Sequence, residues 1–201
     1  MSDFDRWQTR FSVDHYVFGT EPNTFVTRNA GRIKPGGKVL SVADGEGRNG
    51  VWLAGQGFEV TSQDFSPRAQ QKARALAAER GVTLTFELSD IRMRNWEEGA
   101  YDGVVGIFFQ FLYPEARAAV FEAMSRAVRP GGVLLIEGYG PKQLDYATGG
   151  PKDLAQLYTP ELLRDAFGHF SELEVTAYDA EIEEGPGHSG MSALVDLVGR
   201  R

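Results

Sequence analysis

Short apolar segments alternate with helical segments between residues 38 and 137, and this alternation limits the chain to one class of fold. Residues 38–43 form an apolar strand, and residues 48–56 then form a predicted helix that ends at Gly57. Residues 58–64 form a second strand, and the next helix has Ser66 as its N-cap, Pro67 in its first turn and Gly81 at its end. Two strand–helix steps therefore follow each other directly.

The middle of the chain continues this pattern. Residues 83–88 and 101–108 are predicted as strands three and four, and residues 114–128 as a helix with Phe121 and Met124 on its apolar face. After a break at Pro130 and two glycines, residues 133–137 form an uninterrupted apolar strand, which is typical of a strand buried on both faces. Strands that alternate with helices imply right-handed crossovers and a parallel sheet.

The C-terminal quarter departs from the alternation. Thr159 and Pro160 begin a helix that runs to about residue 169, and strands at residues 173–182 and 192–198 follow without a helix between them. Because the connection is too short for a crossover, the last strand is expected to be antiparallel. With 201 residues and 42% apolar content, we expect one domain over residues 1–201. The predicted fold class is α/β: a doubly wound, mostly parallel seven-stranded sheet with an antiparallel last strand.

Composition excludes several kinds of site. The chain has no cysteine, and its three histidines, His15, His169 and His188, lack the paired spacing of zinc ligands, so we expect no metal. Its 21 basic and 28 acidic residues give a net charge of −7, which disfavours nucleic acid as a partner. No apolar run approaches the length of a membrane span, so we expect no membrane partner and a cytoplasmic protein.

A glycine-rich string follows the first strand, at the sheet edge where ligands of such folds bind. Gly45, Gly47 and Gly50 satisfy the pattern G-x-G-x-x-G. Glycines let the backbone approach a ligand, and the helix that follows offers unpaired N–H groups. The same string is compatible with a plain strand-to-helix turn, so the glycines alone are a weak indication of a ligand.

Asp64 strengthens that indication. It ends strand two, nineteen residues after Gly45, where a carboxylate can accept hydrogen bonds from both hydroxyls of a ribose. Its alternative role as a helix cap is already filled by Ser66. A nucleoside-bearing cofactor is therefore the leading inference, and the residues alone leave both a nicotinamide dinucleotide and S-adenosylmethionine open.

Two further loops carry candidate ligand contacts. Asp90 follows strand three and can accept from an adenine amino group, with Ile91 against the base, although an aspartate in a turn is an equally ordinary reading. The aromatic residues Phe108, Phe109 and Phe111 follow strand four. They are expected either to wall a pocket that contacts a sulfonium or to pack in the core.

The motifs together resemble the class I S-adenosylmethionine-dependent methyltransferases, close to the small bacterial tellurite-resistance and thiol methyltransferase-like group. The resemblance is carried by VLSVADGEGRNGVWLAGQGFEVTSQDFSP, by YDGVVGIF and by RPGGVLLIEGY. It extends to the N-terminal HYVFGTEPNTF and to EEGPGHSGMSALVDLV near the C-terminus. It implies a Rossmann-like fold with S-adenosylmethionine as the cofactor.

The resemblance also implies roles for particular residues. Gly45 and Gly47 are expected near the methionine part of the cofactor, and Asp64 at its ribose. Residues 1–35 are expected to form an N-terminal helical lid, with Tyr16, Phe18 and Gly19 folding over the cofactor. The complete set of expected cofactor-binding residues is Ser41, Ala43, Gly45, Gly47, Asn49, Asp64, Phe65, Ser66, Asp90, Ile91, Phe108, Phe18 and Gly19.

Two positions depart from the family pattern. Ser41 stands where an acidic residue is usual, and Ala43 stands where the first glycine of the triplet is usual. Ser41 offers a hydrogen bond but no charge, so the binding of an ammonium group is expected to weaken by about 1–2 kcal/mol unless Asp44 or a water substitutes.

The expected function is methyl transfer to a small molecule, with a thiol or a chalcogen oxyanion as the suggested acceptor. His188 and Tyr16 are the candidate catalytic residues, because strand six is expected to deliver His188 to the ligand-binding edge. The alternatives are a non-catalytic cofactor-binding or regulatory protein and an NAD-dependent oxidoreductase. Either a monomer or a homodimer is compatible with the sequence.

Overall fold

All seven predicted strands belong to one sheet in the computed structural model, which describes residues 2–201. The strands are β1 (Lys38–Val42), β2 (Glu59–Asp64), β3 (Thr85–Leu88), β4 (Tyr101–Ile107), β5 (Val128–Tyr139), β6 (Glu172–Glu183) and β7 (Ser189–Arg200). Their order in the sheet is β3-β2-β1-β4-β5-β7-β6. The order reverses between β1 and β4, so the crevice expected of a doubly wound sheet lies beyond the carboxyl ends of these two strands.

Strand directions agree with the predicted fold class. The first five strands pair in parallel, whereas β7 is antiparallel to both of its neighbours, β5 and β6. The last strand in the chain is therefore the one antiparallel strand of the sheet. Because β6 runs parallel to β5, its end delivers the β6–β7 turn to the same edge as the ends of β1 and β4.

Seven helices surround the sheet in the described part of the chain. They are α1 (Asp3–Arg10), α2 (Thr24–Asn29), α3 (Arg48–Gly55), α4 (Pro67–Glu79), α5 (Pro114–Ala127), α6 (Gln143–Tyr146) and α7 (Pro160–Phe167). As predicted, Ser66 caps α4 by accepting from the Ala69 N–H at 3.1 Å. None of the helices within residues 2–201 has the length and apolar character that crossing a membrane requires.

The start of strand five differs from the prediction. Pro130, Gly131 and Gly132 were expected to precede the strand, but β5 already begins at Val128. The pairing with β4 shifts at this point, from Tyr101 opposite Val128 to Gly103 opposite Val133. The residues of the predicted break therefore form a bulge inside the strand, because Gly131 can adopt a φ of 78°.

Each face of the sheet is covered by its own apolar cluster. One cluster joins β4 and β5 to α5 and α7 through Val104, Leu134, Phe121 and Phe167. The other joins the opposite face of the sheet to α2 and α3 through residues such as Val105. The helices thus lie on both faces, as the alternation of strands and helices predicts.

Asn23 fastens the N-terminal segment to the sheet. Its side-chain oxygen accepts from the Val26 N–H at 3.0 Å and so caps α2. Its side-chain nitrogen donates to the carboxylates of Glu137, on β5, and Glu184, in the β6–β7 turn. Because Asn23 is only 1% exposed, none of these bonds can be replaced by bulk water.

We therefore expect Asn23→Ala to lower the free energy of unfolding by about 2–4 kcal/mol, the sum of a lost cap and lost donors to buried carboxylates. Urea denaturation measures this difference. Thr24→Ala, at the adjacent exposed position, is the matched control and should stay within about 0.5 kcal/mol of the parent protein. Equal losses in the two variants would contradict the assigned role of Asn23.

Candidate functional site

The carboxyl ends of β1, β2 and β4 open into a cavity of about 700 Å³, including its mouth. We call it the first cavity. Its walls are Trp7, Phe11, Phe18, Gly19, Ser41, Val42, Ala43, Asp44, Gly45, Glu46, Arg48, Asn49, Asp64, Phe65, Ile107, Phe108, Phe109, Phe111 and His188.

The turn after β1 keeps its shape without the usual first glycine. Ala43 adopts a left-handed conformation with φ of 47°, and its N–H donates to the Gln63 side chain at 3.0 Å. Alanine tolerates this conformation at a cost that glycine avoids. Gly45, with φ of 58°, then carries the backbone along the cavity wall.

Asp44 supplies the acidic group that Ser41 lacks. The Ser41 hydroxyl donates to the Asp44 carboxylate at 2.6 Å, as does the hydroxyl of Ser62 at 2.6 Å. The Gly50 N–H donates to it as well, at 3.1 Å. Burial nevertheless raises the pKa of Asp44 to about 6, because these bonds only partly offset desolvation.

Asp64 lies at the end of β2 with its carboxylate on the first cavity. It accepts from the N–H of Gly45 at 2.9 Å and from the N–H of Ser66 at 2.8 Å. Burial raises its pKa to about 6, although these two bonds favour the charged form. A carboxylate has about four acceptor positions, so Asp64 keeps acceptor capacity for a ribose hydroxyl.

A second cavity of about 600 Å³, including its mouth, adjoins the first. Both are lined by Trp7, Phe18, Phe108, Phe111 and His188, and we call this shared wall the aromatic junction. The second cavity is completed by Arg6, Arg10, Gln110, Tyr139, Gly150, Pro151 and Gln156.

His188 lies inside the aromatic junction. Its ring centre is 4.4 Å from that of Phe18 and 4.3 Å from that of Phe108. Its Nδ1 has no hydrogen-bond partner within residues 2–201. Burial, followed by the positive charges of Arg48 and Arg10, holds the pKa of His188 well below its usual value. The ring is therefore neutral at pH 7 and offers a polar atom to a bound molecule.

The N-terminal segment and the β6–β7 turn meet above the first cavity. The Gly187 N–H donates to the carbonyl of Val17 at 2.8 Å. A Cβ atom added at Gly185 would lie 2.3 Å from the nitrogen of Gly19, so only glycine fits there. This contact places Phe18 and Gly19 on the cavity wall.

The structure brings most of the expected cofactor-binding residues to the first cavity. These are Ser41, Ala43, Gly45, Asn49, Asp64, Phe65, Phe108, Phe18 and Gly19. Phe108 takes a left-handed conformation with φ of 52°, which turns its ring toward His188 and Tyr139. Such a conformation is uncommon for a bulky residue and clusters at functional sites.

Four expected cofactor contacts lie elsewhere. Gly47 packs against α4, where an added Cβ would approach Ala73 to 2.6 Å, and Ser66 is occupied as the α4 cap. The Asp90 carboxylate is paired with Arg92 at 2.6 Å. Ile91 is 2% exposed and belongs to the core cluster beside α5. None of the four lines the first cavity.

Tyr16 also lies away from both cavities. Its hydroxyl donates to the carbonyl of Lys72 at 3.1 Å, and its ring packs beside Val51 and Leu76. The structure therefore gives Tyr16 no contact with either cavity, because its hydroxyl is committed to the α4 backbone, and a catalytic role for Tyr16 stays a prediction.

Several residues of the site are not predictable from the motifs. Trp7 and Phe11 reach the first cavity from the region of α1. Glu46 is 3% exposed and accepts from the N–H of Val17 at 2.7 Å. Arg48 pairs with Glu184 at 2.6 Å, yet its Nη1 has no partner within residues 2–201. The sequence indicates only two of them: Glu46 and Arg48 occupy variable positions, written x, in the pattern G-x-G-x-x-G.

Comparisons with known proteins identify the class that this fold and site define. A model of the family described as "Methyltransferase domain" matches residues 39–132. The 2-heptyl-1-hydroxyquinolin-4(1H)-one methyltransferase of Mycobacteroides abscessus is 28% identical over 63% of this chain and 55% of its own. The chain spans 38% to 55% of the length of several curated relatives that it matches.

Solved structures share the fold over the whole chain. TehB from Haemophilus influenzae superposes with a TM-score of 0.70 at 20% identity, over 98% of this chain and 66% of its own. Phosphoethanolamine N-methyltransferase 2 of Haemonchus contortus, in complex with S-adenosyl-L-methionine, gives a TM-score of 0.76 at 16% identity, over 100% and 60%. Residues 39–132 thus match the methyltransferase domain family, and the whole chain has the fold of solved S-adenosylmethionine-dependent methyltransferases. The predicted fold class is thereby confirmed, and the family match agrees with the predicted methyltransferase and its cofactor.

The first cavity fits S-adenosylmethionine by its own chemistry. Asp64 has acceptor positions for a ribose, and the unpartnered Nη1 of Arg48 suits the carboxylate of an amino acid. Gly45 keeps the wall free of side-chain bulk beside Asp64. The carboxylate of Asp44 matches the positive charge of an ammonium group, whereas the carboxylate of Glu46 is already paired with Lys72 at 2.7 Å.

The raised pKa of Asp44 makes a stability prediction. The pKa of Asp44 is about 6 in the folded state and 3.8 for a free aspartate, so the folded state binds the proton more tightly than the unfolded state. Proton binding therefore stabilises the fold fully below about pH 4, and this stabilisation is lost as the pH rises through 6. At about pH 7, we therefore expect the neutral isostere Asp44→Asn to be more stable than the parent by about 1–3 kcal/mol.

Denaturation at a series of pH values, without cofactor, measures this effect. The advantage of Asp44→Asn should shrink toward zero below about pH 4, where the parent carboxyl is itself protonated. Asp14→Asn, at an exposed position, is the control and should show no pH-dependent difference. A stability difference for Asp44→Asn that is constant with pH would contradict the assignment.

Proposed function

We propose that this protein transfers a methyl group from S-adenosylmethionine to a small-molecule acceptor whose reacting atom is a thiolate or a chalcogen oxyanion. The observation that carries the proposal is the neutral His188 in the aromatic junction between the two cavities. The first cavity holds the cofactor, and the second holds the acceptor. The reacting atoms then meet at the junction.

The chemistry of the junction favours an acceptor that ionises by itself. A histidine whose pKa is well below its usual value is a weak base at pH 7, so it gives little help in removing a proton from a neutral hydroxyl or amine. No carboxylate of residues 2–201 lines the second cavity. A thiol, with an ordinary pKa of about 8.5, supplies a useful thiolate fraction without a base.

The residues of this chain then have three tasks. Asp64 and Arg48 hold the cofactor, which supplies an electrophilic methyl group. The rings of Trp7, Phe18 and Phe108 keep water from the junction, and their faces suit the positive charge that disperses during transfer. His188 orients the acceptor by a hydrogen bond, and alignment of the two reactants supplies the acceleration.

The comparisons give this choice of acceptor partial support. The acceptor of the Mycobacteroides abscessus relative, by its name, is a hydroxyquinolinone, a flat ring system that carries a hydroxyl group. The resemblance to thiol and tellurite methyltransferases and the structural likeness to TehB favour a soft anion. A soft anion needs no base, which agrees with a junction that offers no strong base.

The cofactor is tested first, by calorimetric titration with S-adenosylmethionine and with NAD in parallel. We expect S-adenosylmethionine to bind and NAD not to bind. Asp64→Ala should weaken it at least about tenfold, because hydrogen bonds to a charged group are each worth about 1.5–3 kcal/mol. Asp165→Ala is the matched control and should bind normally, since Asp165 is an exposed residue of α7 that lines neither cavity.

Activity is then tested by methylation of aryl thiols and of tellurite, with S-adenosylhomocysteine measured as the common product. Methylation of either acceptor supports the proposal. Binding of the cofactor with no turnover of any acceptor would instead favour a non-catalytic cofactor-binding protein. Binding of NAD alone would contradict the proposal outright.

The role of His188 is tested by His188→Phe, which keeps the aromatic packing and removes both nitrogens. We expect the KM for the acceptor to rise by up to about tenfold, the worth of one hydrogen bond, with the pH profile of kcat/KM unchanged. His15→Ala, at an exposed position, is the control. Loss of one limb of the pH profile would show that His188 acts as a base.

A further inference from the structure

We propose that the acceptor carries, besides its reacting atom, a separate anionic group such as a carboxylate, which Arg6 and Arg10 bind at the mouth of the second cavity. This inference deepens the proposed function and rests on it, because it assumes that the second cavity holds the acceptor. The substrate class is then an apolar, flat thiol or oxyacid with an acidic substituent at the end away from the junction.

The two cavities have opposite charge. The first is lined by the carboxylates of Asp44, Glu46 and Asp64 and by the single cation of Arg48. The second is lined by Arg6 and Arg10 and, within residues 2–201, by no carboxylate. The first therefore suits a cationic cofactor, and the second suits an anionic acceptor.

The positive charge at the second cavity is opposite in sign to the net charge of the whole chain. The net charge of −7 repels small anions from the protein in general. A basic mouth on one cavity is therefore a local exception, and it would attract an anion to the one entrance where it can react. Such attraction weakens as salt is added, because the screening length falls to about 10 Å at 0.1 M.

Arg6 and Arg10 lie one helical turn apart on α1. Both guanidinium groups contact the ring of Trp7, at 5.8 and 5.4 Å from its centre, and Arg10 also lies 5.0 Å from the centre of Phe18. These contacts hold two positive charges beside the aromatic junction. The spacing suits a single carboxylate bound between two guanidinium groups.

Arg10 is the cation that is free to bind. Arg6 is paired with Asp3 at 3.0 Å, whereas Arg10 forms no ion pair with any carboxylate in residues 2–201. Partial desolvation, followed by repulsion from Arg6, lowers the pKa of Arg10. The negative charge of a bound anion would offset both effects.

The other residues of the second cavity indicate what the acceptor is like between its reacting atom and its anionic group. Phe108, Phe111 and Tyr139 provide apolar, flat walls between the junction and the mouth. The Tyr139 hydroxyl is buried and has no hydrogen-bond partner within residues 2–201, so it offers one polar contact to that body. An aryl ring with the reacting atom at one end and the anionic group at the other satisfies all of these surfaces.

The test compares three para-substituted aryl thiols: 4-mercaptobenzoate, the neutral 4-methylbenzenethiol and the cationic 4-(aminomethyl)benzenethiol. Each is assayed above its own thiol pKa, so that all react as thiolates. We expect kcat/KM for the benzoate to exceed that for the neutral thiol about tenfold or more, with the cationic thiol poorest. Added salt should narrow these differences.

Arginine variants test whether the preference for the benzoate comes from the mouth of the second cavity. Arg10→Gln should remove most of the advantage of the benzoate over the neutral thiol, through a higher KM for the benzoate, and this ratio is compared within the variant. Arg68→Gln, an exposed arginine of α4 that lines neither cavity, is the matched control and should keep the preference. Equal use of the three thiols by the parent, or an unchanged preference in Arg10→Gln, would overturn the inference.

A binding experiment separates failure of this inference from failure of the proposed function. The product analogue 4-(methylthio)benzoate is titrated into protein saturated with S-adenosylhomocysteine, with 4-(methylthio)toluene as the neutral comparison. Preferential binding of the benzoate that Arg10→Gln abolishes supports the anion site even if no thiol is methylated. Methylation of thiols without any charge preference leaves the proposed function standing and rejects the anion site.

Discussion

The buried carboxyl of Glu137 belongs to a polar network that connects the separate parts of the site. It lies at the carboxyl end of β5, directly opposite Asp196 on β7, and burial together with Asp196 raises its pKa well above the usual value. Asn23 donates to it and to Glu184, which in turn pairs with Arg48. This one network therefore joins the N-terminal segment, the sheet, the β6–β7 turn and the beginning of α3. A buried polar network stabilises one arrangement only when its members are satisfied together.

The network explains why the N-terminal segment can form a wall of the site although it precedes the sheet in the chain. Asn23 fixes the segment on one side, and Glu46 accepts from the N–H groups of Val17 and Phe18 on the other. Phe18 is thereby held against His188. The aromatic junction is thus a consequence of polar contacts outside it, since apolar rings alone do not specify where a flexible segment docks.

The sequence predicts the parts of this molecule that follow from local periodicity. The parallel sheet, the antiparallel last strand and the position of Asp64 at the cavity follow from alternating segments and from the strand-end rule. Periodicity does not reveal that Arg92, two residues after Asp90, occupies the Asp90 carboxylate in the structure. Trp7 and Arg10 were missed because nothing local determines where a short N-terminal helix packs.

The substitutions in the glycine turn illustrate how the chain retains a family site with different residues. Ser41 removes a carboxylate from β1, but Asp44, three residues later, returns one to the same wall and takes a hydrogen bond from Ser41. Ala43 retains the left-handed backbone that brings Asp44 there. The acidic character of the first cavity is thus preserved by a shift of position along the turn. Because the shifted carboxylate is buried, its charge costs folding stability, and a positively charged ligand would recover part of that cost.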